Sequence, residues 1–61
     1  MPYYLHELNQ KQYFWFNGLK FILLGPFSDR GYARCRRSDG AIQYLHKDIV
    51  VVPEWSQASL F

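Results

Sequence analysis

Hydrophobic and polar residues in the middle of the chain follow the period of β-strands. The first clear case is a pair of segments, QYFWF at 12–16 and LKFILL at 19–24. They flank Asn17 and Gly18, which tolerate the positive φ angles that a type I′ turn requires. Residues 22–24 are apolar without alternation, so we expect the second segment to be covered on both faces or to lie where the sheet curls. The pattern predicts a β-hairpin.

A third strand is indicated by alternation that begins after a loop. The loop, GPFSDRG at 25–31, contains the Pro and Gly residues that interrupt strands. Within YARCRR at 32–37, successive side chains point to opposite faces of the sheet. Ala33 and Cys35 then share one face, and we expect these small side chains to point inward. The opposite face holds Tyr32, Arg34 and Arg36.

A second tight turn is predicted at residues 39–40, an Asp-Gly dipeptide, and it leads into a strand at 41–45. A two-residue loop would place Cys35 opposite Tyr44. A three-residue loop, 38–40, would shift the pairing by one position, and such a slip exchanges the two faces of a strand. Both registers stay open at this point.

The pattern of residues near the end of the sequence predicts one more strand. A polar turn, HKD at 46–48, precedes the β-branched run IVVV at 49–52, which Pro53 closes. The N-terminal segment 2–10 is either an additional edge strand or one helical turn, and the segment 54–61 ends on two apolar residues. The N-terminal side chains that we expect to pack against the rest of the domain are Tyr4, Leu5 and Leu8.

These elements predict an all-β fold of five short strands with short N- and C-terminal extensions. The order FWFNGLKFILLG, GYARCRRSDGAIQYL, a one-turn HKD and IVVVP resembles the SH3-like small barrels, including Tudor-type modules. The resemblance covers about residues 12–53. It implies one SH3-like barrel domain over residues 1–61, in which 1–11 and 54–61 are flanking segments. The acidic loop and paired tryptophans with which signalling SH3 domains hold proline-rich peptides are not evident, so that activity is not implied.

The length and the single cysteine narrow the class of protein. A chain of 61 residues has room for one core, and its marginal stability would favour a homo-oligomer or a bound partner. Cys35 has no partner for an internal disulfide, so we expect a reducing, cytoplasmic location. The apolar run 21–24 is far shorter than the ~20 residues of a membrane helix, and the N-terminus lacks the pattern of a secretory signal. We expect no membrane partner.

Basic residues are concentrated in one part of the chain, although the net charge is only +2. Arginine forks pair with phosphate oxygens, and aromatic rings stack on unpaired bases. The predicted nucleic-acid surface consists of Arg30, Tyr32, Arg34, Arg36, Arg37 and Lys47. The alternative is that Arg34 and Arg36 are simply the outward positions of a half-exposed strand, where charge protects an edge against aggregation.

Two tryptophans, five tyrosines and five phenylalanines are difficult to bury completely in so small a domain. Aromatic residues that stay exposed suggest a second function, which is binding to another protein. The aromatic residues expected there are Tyr3, Tyr4, Trp15 and Trp55. The alternative is that Trp15 fills the barrel and Trp55 caps one of its open ends. A cage of rings around a methylated cation, as in Tudor modules, would need a convergence that the sequence does not show.

Catalytic and metal sites have little support in the sequence. One cysteine and two histidines show no metal-binding spacing, and there is no glycine-rich phosphate loop or pair of catalytic carboxylates. Cys35 with His46 as its base would be a nucleophile, but the predicted core position of Cys35 is typical of an inert thiol. We therefore expect no enzyme activity, no metal and no cofactor.

The sequence thus predicts a non-enzymatic module that binds nucleic acid, either single-stranded or RNA. The alternative is an accessory or inhibitory protein, such as those of phages and plasmids, that docks on a larger protein through exposed aromatic residues and arginines.

Overall fold

A computed structural model describes residues 3–55 as six antiparallel strands and one 3-10 turn. The all-β class is confirmed, with one strand more than predicted. The strands are β1 (Tyr3–Tyr4), β2 (Tyr13–Phe16), β3 (Leu19–Leu23), β4 (Tyr32–Arg37), β5 (Ile42–His46) and β6 (Val50–Pro53). Residues 1–2 and 56–61 of the predicted extensions lie outside the described residues. Within 3–55, no helix has the length and apolar character needed to cross a membrane.

The six strands form one sheet in the order β1-β6-β2-β3-β4-β5. Strands β2 to β5 follow one another as neighbours, and β6 returns to pair with β2. The additional strand is β1, which pairs with the outer side of β6. The 3-10 turn, Leu5–Glu7, follows β1 directly. The N-terminal extension therefore contains both an edge strand and a helical turn, which were the two alternatives for this segment.

The first hairpin forms as predicted. Asn17 and Gly18 have φ angles of 58° and 78°, and they connect Phe16 directly to its partner Leu19. Two consecutive positive φ angles define the type I′ turn, whose twist matches that of the flanking strands.

The second hairpin has the three-residue loop, 38–40. Cys35 pairs with Gln43, and the Arg37 N–H donates a 2.7 Å hydrogen bond to the carbonyl oxygen of Ala41. The last loop residue is a glycine with φ of 96°, a conformation that favours glycine and suits a three-residue hairpin loop. The two-residue alternative, with Cys35 opposite Tyr44, is wrong.

The core lies on one face of the sheet, which we call the inner face. Phe14 and Phe21 are cross-strand partners there, with ring centroids 5.6 Å apart. Within residues 3–55 there is no second sheet and no long helix to cover this face, so the sheet must curl around its own side chains. The buried hydrophobic residues are Leu5, Leu8, Phe14, Phe21, Leu23, Ala33, Cys35 and Val51.

Two of the three predicted N-terminal contacts are confirmed. Leu5 and Leu8 are buried in the core, and the Leu5 N–H donates a 3.0 Å hydrogen bond to the carbonyl of Ile49. Tyr4 instead is 49 % exposed, and its ring stacks on His6 at 5.5 Å. This difference follows from strand alternation, which turns Tyr4 away from the inner face.

The apolar run at 22–24 is not covered on both faces. Leu23 lies in the core, whereas Ile22 and Leu24 are half-buried on the outer face of the sheet. This part of the outer face is therefore apolar without being enclosed.

Candidate nucleic-acid interface

Strand β4 places its side chains on the two faces that its alternation predicts. Tyr32, Arg34 and Arg36 are exposed, whereas Ala33 and Cys35 are buried. Residues with small side chains fit against the core, while the long arginine side chains extend into solvent. The predicted division of this strand into an inner and an outer face is confirmed.

Strand β5 adds outward residues beside those of β4. Because directly opposite residues of an antiparallel pair share a face, each outward residue of β4 has an outward partner on β5. The surface that we call the β4–β5 face consists of the pairs Tyr32–His46, Arg34–Tyr44 and Arg36–Ile42. Tyr44 is 66 % exposed and Ile42 is 42 % exposed. Sequence reasoning missed both, since their position depends on the register of the second hairpin.

The arginines of the β4–β5 face have no acidic partner among residues 3–55. The ion pairs within this part of the chain involve other cations, and none of them includes Arg34 or Arg36. Both guanidinium groups therefore remain available to an anionic ligand. A charge-assisted bond to such a ligand is about twice as strong as a neutral one.

Arg37 lies in a different environment. It is half-buried at the end of β4, where its Nε donates to Asp39 Oδ1 at 3.0 Å and its Nη2 donates to Asp39 Oδ2 at 2.7 Å. These hydrogen bonds lower the pKa of Asp39 to about 2, with a further contribution from the Ala41 N–H. They also raise the pKa of Arg37 above its ordinary value. The guanidinium group of Arg37 is thus already held by a carboxylate of the same turn.

Arg30 and Lys47 lie at the Tyr32 end of the β4–β5 face. The Lys47 N–H donates a 2.7 Å hydrogen bond to the carbonyl of Gly31, so the loop before β4 contacts the turn after β5. Both basic side chains are exposed. Asp29 and Asp48 belong to the same two segments, so this end carries both signs of charge.

The outward surface continues from β4 onto β3 and β2. Ile22 pairs with Arg36 on one side and with Tyr13 on the other, so the three residues form a row across the sheet. A concavity of about 500 Å³ is lined by this row and extends to the second hairpin, where Arg37, Ser38 and Gly40 also line it. Lys20 also lines it, and the Nζ of Lys20 lies 5.0 Å from the centroid of the Tyr13 ring and forms an ion pair with Glu54.

Tyr13 was not among the predicted binding residues, although a signal for it existed. The two-residue loop of the first hairpin determines the register of β2 and β3, and it places Tyr13 opposite Ile22. The alignment of Tyr13 with Arg36 across the sheet also requires the register of β3 against β4. A long loop separates these two strands, so no turn type in the sequence predicts that register.

The four aromatic residues of the alternative surface lie at the other end of the sheet order, on β1, on β2 and after β6. Tyr4 and Trp55 are exposed, whereas Tyr3 and Trp15 are half-buried. Tyr3 contacts Trp55 edge-to-face at 4.9 Å. The interpretation that Trp15 fills the barrel is wrong, because it lies on the outer face opposite Lys20 while its neighbour Phe14 is buried.

Cys35 and His46 do not form a catalytic pair. Cys35 is fully buried on the inner face, whereas His46 shares the outer face with Tyr32, its partner in the ladder. Burial raises the pKa of the Cys35 thiol to about 11, so little thiolate forms at neutral pH. Among residues 3–55, no three His, Cys, Asp or Glu side chains are grouped closely enough to hold a metal ion.

The outward surface of β2 to β5 therefore combines two arginines without acidic partners, exposed aromatic rings and half-buried aliphatic side chains. Rings and aliphatic groups suit planar apolar ligands, and the arginines suit anions. No protein-family model, no curated protein and no solved structure matches the chain.

Proposed function

We propose that the chain is a non-enzymatic module that binds single-stranded nucleic acid or RNA through the β4–β5 face. The observation that carries the proposal is that Arg34 and Arg36 point outward beside the exposed rings of Tyr32 and Tyr44 and form no ion pair with residues 3–55. Two positions along a strand are about 7 Å apart, a spacing at which two guanidinium groups can contact successive phosphates.

Exposed rings favour a single strand over a duplex. Bases within a duplex are stacked on each other, whereas unpaired bases can stack on aromatic side chains, and a sheet surface displays such rings together with cations. Tyr32 and Tyr44 are 45 % and 66 % exposed, so each offers ring surface to a base. Arg30 and Lys47 add phosphate contacts at the Tyr32 end. Arg37 contributes less, because Asp39 holds its guanidinium group.

The proposal is tested by fluorescence anisotropy with labelled single-stranded DNA and RNA oligonucleotides over a range of salt concentrations. Neutralising three or four phosphates gives a slope of log affinity against log salt of about −2 to −3. The double variant Arg34→Ala/Arg36→Ala should reduce the magnitude of this slope by about 1.4 and weaken binding at low salt. The variant Arg34→Lys/Arg36→Lys should keep the slope and lose part of the affinity, since lysine lacks the planar fork.

The matched control is Lys11→Ala, which removes one exposed cation near the start of β2, away from the β4–β5 face. It should leave the affinity almost unchanged. Absence of oligonucleotide binding near 50 mM salt, or an Arg34→Ala/Arg36→Ala variant that binds like the wild type, would contradict the proposal.

We also propose that β2 to β6 form an SH3-like small barrel. Support comes from the position of β6 beside β2, which brings the last of these five strands next to the first, and from the short turn between β5 and β6. The complete burial of Phe14 and Leu5 on the inner face of a single sheet is further support, because a flat sheet of this size could not enclose them.

A cytoplasmic location remains part of the proposal, supported by the buried free thiol of Cys35.

A second candidate function is docking on a larger protein. One observation favours it: β5 is an edge strand with no Lys, Arg, Asp or Glu between Ile42 and His46, and it exposes both Ile42 and Tyr44. Natural edge strands usually carry charge or proline against unwanted pairing. If oligonucleotides do not bind, a stoichiometric protein partner that resists nuclease and is lost with Tyr44→Lys would support this function.

A further inference from the structure

We infer that the concavity beside Arg36 is a subsite for a single unstacked nucleobase, held between the Tyr13 ring and the Arg36 guanidinium group above Ile22. The inference rests on the proposed function and specifies which part of the ligand is recognised on the β3 side of the β4–β5 face, next to Arg36. It extends the binding surface from β4 and β5 onto β3 and β2.

The row of three residues has the geometry of a slot. Ile22 is the direct cross-strand partner of both Tyr13 and Arg36, so the latter two lie on either side of it. Their backbones are two strand spacings apart, about 10 Å, and strand side chains stand roughly perpendicular to the sheet. A stacked base occupies about 3.4 Å. A base stacked on both faces needs about 6.8 Å between its two neighbours, so the ring and the guanidinium group enclose one base when they lean towards each other by about 3 Å in total.

The surfaces of this slot suit a nucleobase. Tyr13 is 43 % exposed and supplies an aromatic wall, and half-buried Ile22 supplies an apolar floor. Arginine supplies the opposite wall, since its planar guanidinium group stacks on bases as well as pairing with phosphate. The volume of about 500 Å³ lies within the range of sites that hold small organic ligands.

Charge indicates how many phosphates accompany the base. Three cations line the concavity, but Lys20 is paired with Glu54 and Arg37 with Asp39. Arg36 is the cation of this set without an acidic partner among residues 3–55. The concavity is therefore suited to one negative charge, which corresponds to one nucleotide unit of a longer strand whose neighbouring phosphate is held by Arg34.

The test uses single-stranded oligonucleotides of about eight nucleotides, with one base replaced by 2-aminopurine at each position in turn. Stacking quenches 2-aminopurine fluorescence, so one position should show additional quenching when the wild-type protein binds. Tyr13→Leu should abolish that quenching and weaken binding by about 5- to 150-fold, the range of one base–aromatic stack. The salt slope should not change, because Tyr13 carries no charge.

Tyr13→Phe is the conservative variant and should retain both affinity and quenching, since the ring rather than the hydroxyl group contacts the base. Tyr4→Leu is the matched control: it removes another exposed tyrosine, 49 % exposed on β1, and should have no effect on either readout. Thermal unfolding of each variant establishes that it is folded.

The outcomes separate the two proposals. If the wild type binds with the expected salt slope but Tyr13→Leu keeps wild-type affinity, or if quenching persists in that variant, the subsite is overturned and the β4–β5 face is retained. If the wild type binds no oligonucleotide, the proposed function fails and the subsite fails with it.

Discussion

Arginine side chains that are close together in the sequence have different environments in the folded chain. Arg34 and Arg36 extend from the outer face of β4, whereas Arg37, the next residue, is half-buried and held by Asp39 through two short hydrogen bonds. Alternation alone turns Arg37 away from the other two. The same residue type therefore stabilises a turn at one position and remains available to a ligand at its neighbours.

The Arg37–Asp39 pair predicts a pH dependence of stability. The pKa of Asp39 is about 2 in the folded chain, below the ~3.9 of an unfolded aspartate. A lowered pKa means that the stabilisation is complete above about pH 4 and is lost as the pH falls towards 2. We expect Asp39→Asn to have a lower Tm than the wild type at neutral pH, and the difference to disappear near pH 2. Thermal unfolding followed by circular dichroism between pH 7 and pH 2 measures this.

Asp29→Asn is the control for this experiment. It removes the same charge from the loop before β4, where Asp29 is exposed and forms no ion pair with residues 3–55. Its Tm at neutral pH should stay closer to that of the wild type. A difference between Asp39→Asn and the wild type that does not diminish on acidification would contradict the prediction.

At the scale of elements, the β4–β5 pair depends on the loop that precedes it. The loop closes through a hydrogen bond from the Gly31 N–H to the carbonyl of Ser28, and the Ser28 N–H donates to the carbonyl of Tyr32. Gly31 then accepts the Lys47 N–H, which holds the far end of β5 against the start of β4. This loop therefore orients Tyr32 and His46, the first pair of the β4–β5 face.

Gly31→Ala is predicted to destabilise the domain. Gly31 has φ of 88°, and an added Cβ would lie 3.1 Å from Nε2 of His46. The left-handed conformation alone costs an alanine about 1–2 kcal/mol. We expect a loss of at least this size in the free energy of unfolding, measured by urea denaturation.

Gly25→Ala is the matched control for that change. Its Cβ would meet no atom within 4 Å, and its φ is not in the left-handed region. Such a substitution is neutral or stabilising by up to about 1 kcal/mol. Equal losses for the two variants would show that the loop conformation at Gly31 is not the cause.

At the scale of the whole molecule, the N-terminal segment is part of the core. Leu5 is 0 % exposed and lies among the buried side chains of β2, β3, β4 and β6. A sheet of strands this short has few residues on its inner face, so the extension supplies apolar groups that the five predicted strands lack. The folded domain is thus larger than the barrel predicted over residues 12–53.

Leu5→Ala is therefore expected to lower the free energy of unfolding by about 2–5 kcal/mol, as for other buried leucines. This is a large share of the 5–15 kcal/mol that stabilises a typical domain. Leu19→Ala makes the same chemical change at a site that is 43 % exposed and should alter stability by about 0.5 kcal/mol or less. Urea denaturation of both variants measures the difference, and similar losses would contradict a core role for Leu5.

Much of this surface could be predicted from local patterns. The outward positions of β4 followed from alternation, and the type I′ turn followed from Asn17 and Gly18. The positions of Trp15 and Tyr44 could not be predicted in the same way. Trp15 follows Phe14 in an all-aromatic run, so either residue could have pointed inward. Tyr44 depended on whether its hairpin loop had two residues or three.

By itself, the sequence determined the β class, the turn of the first hairpin and the inner and outer sides of β4, because these depend on interactions between residues close together in the chain. The tertiary structure decided the rest: the pairing that aligns Tyr13, Ile22 and Arg36, and the inclusion of Leu5 in the core. These features depend on the register between strands and on competition for a limited interior. Neither is encoded in any short segment of the chain.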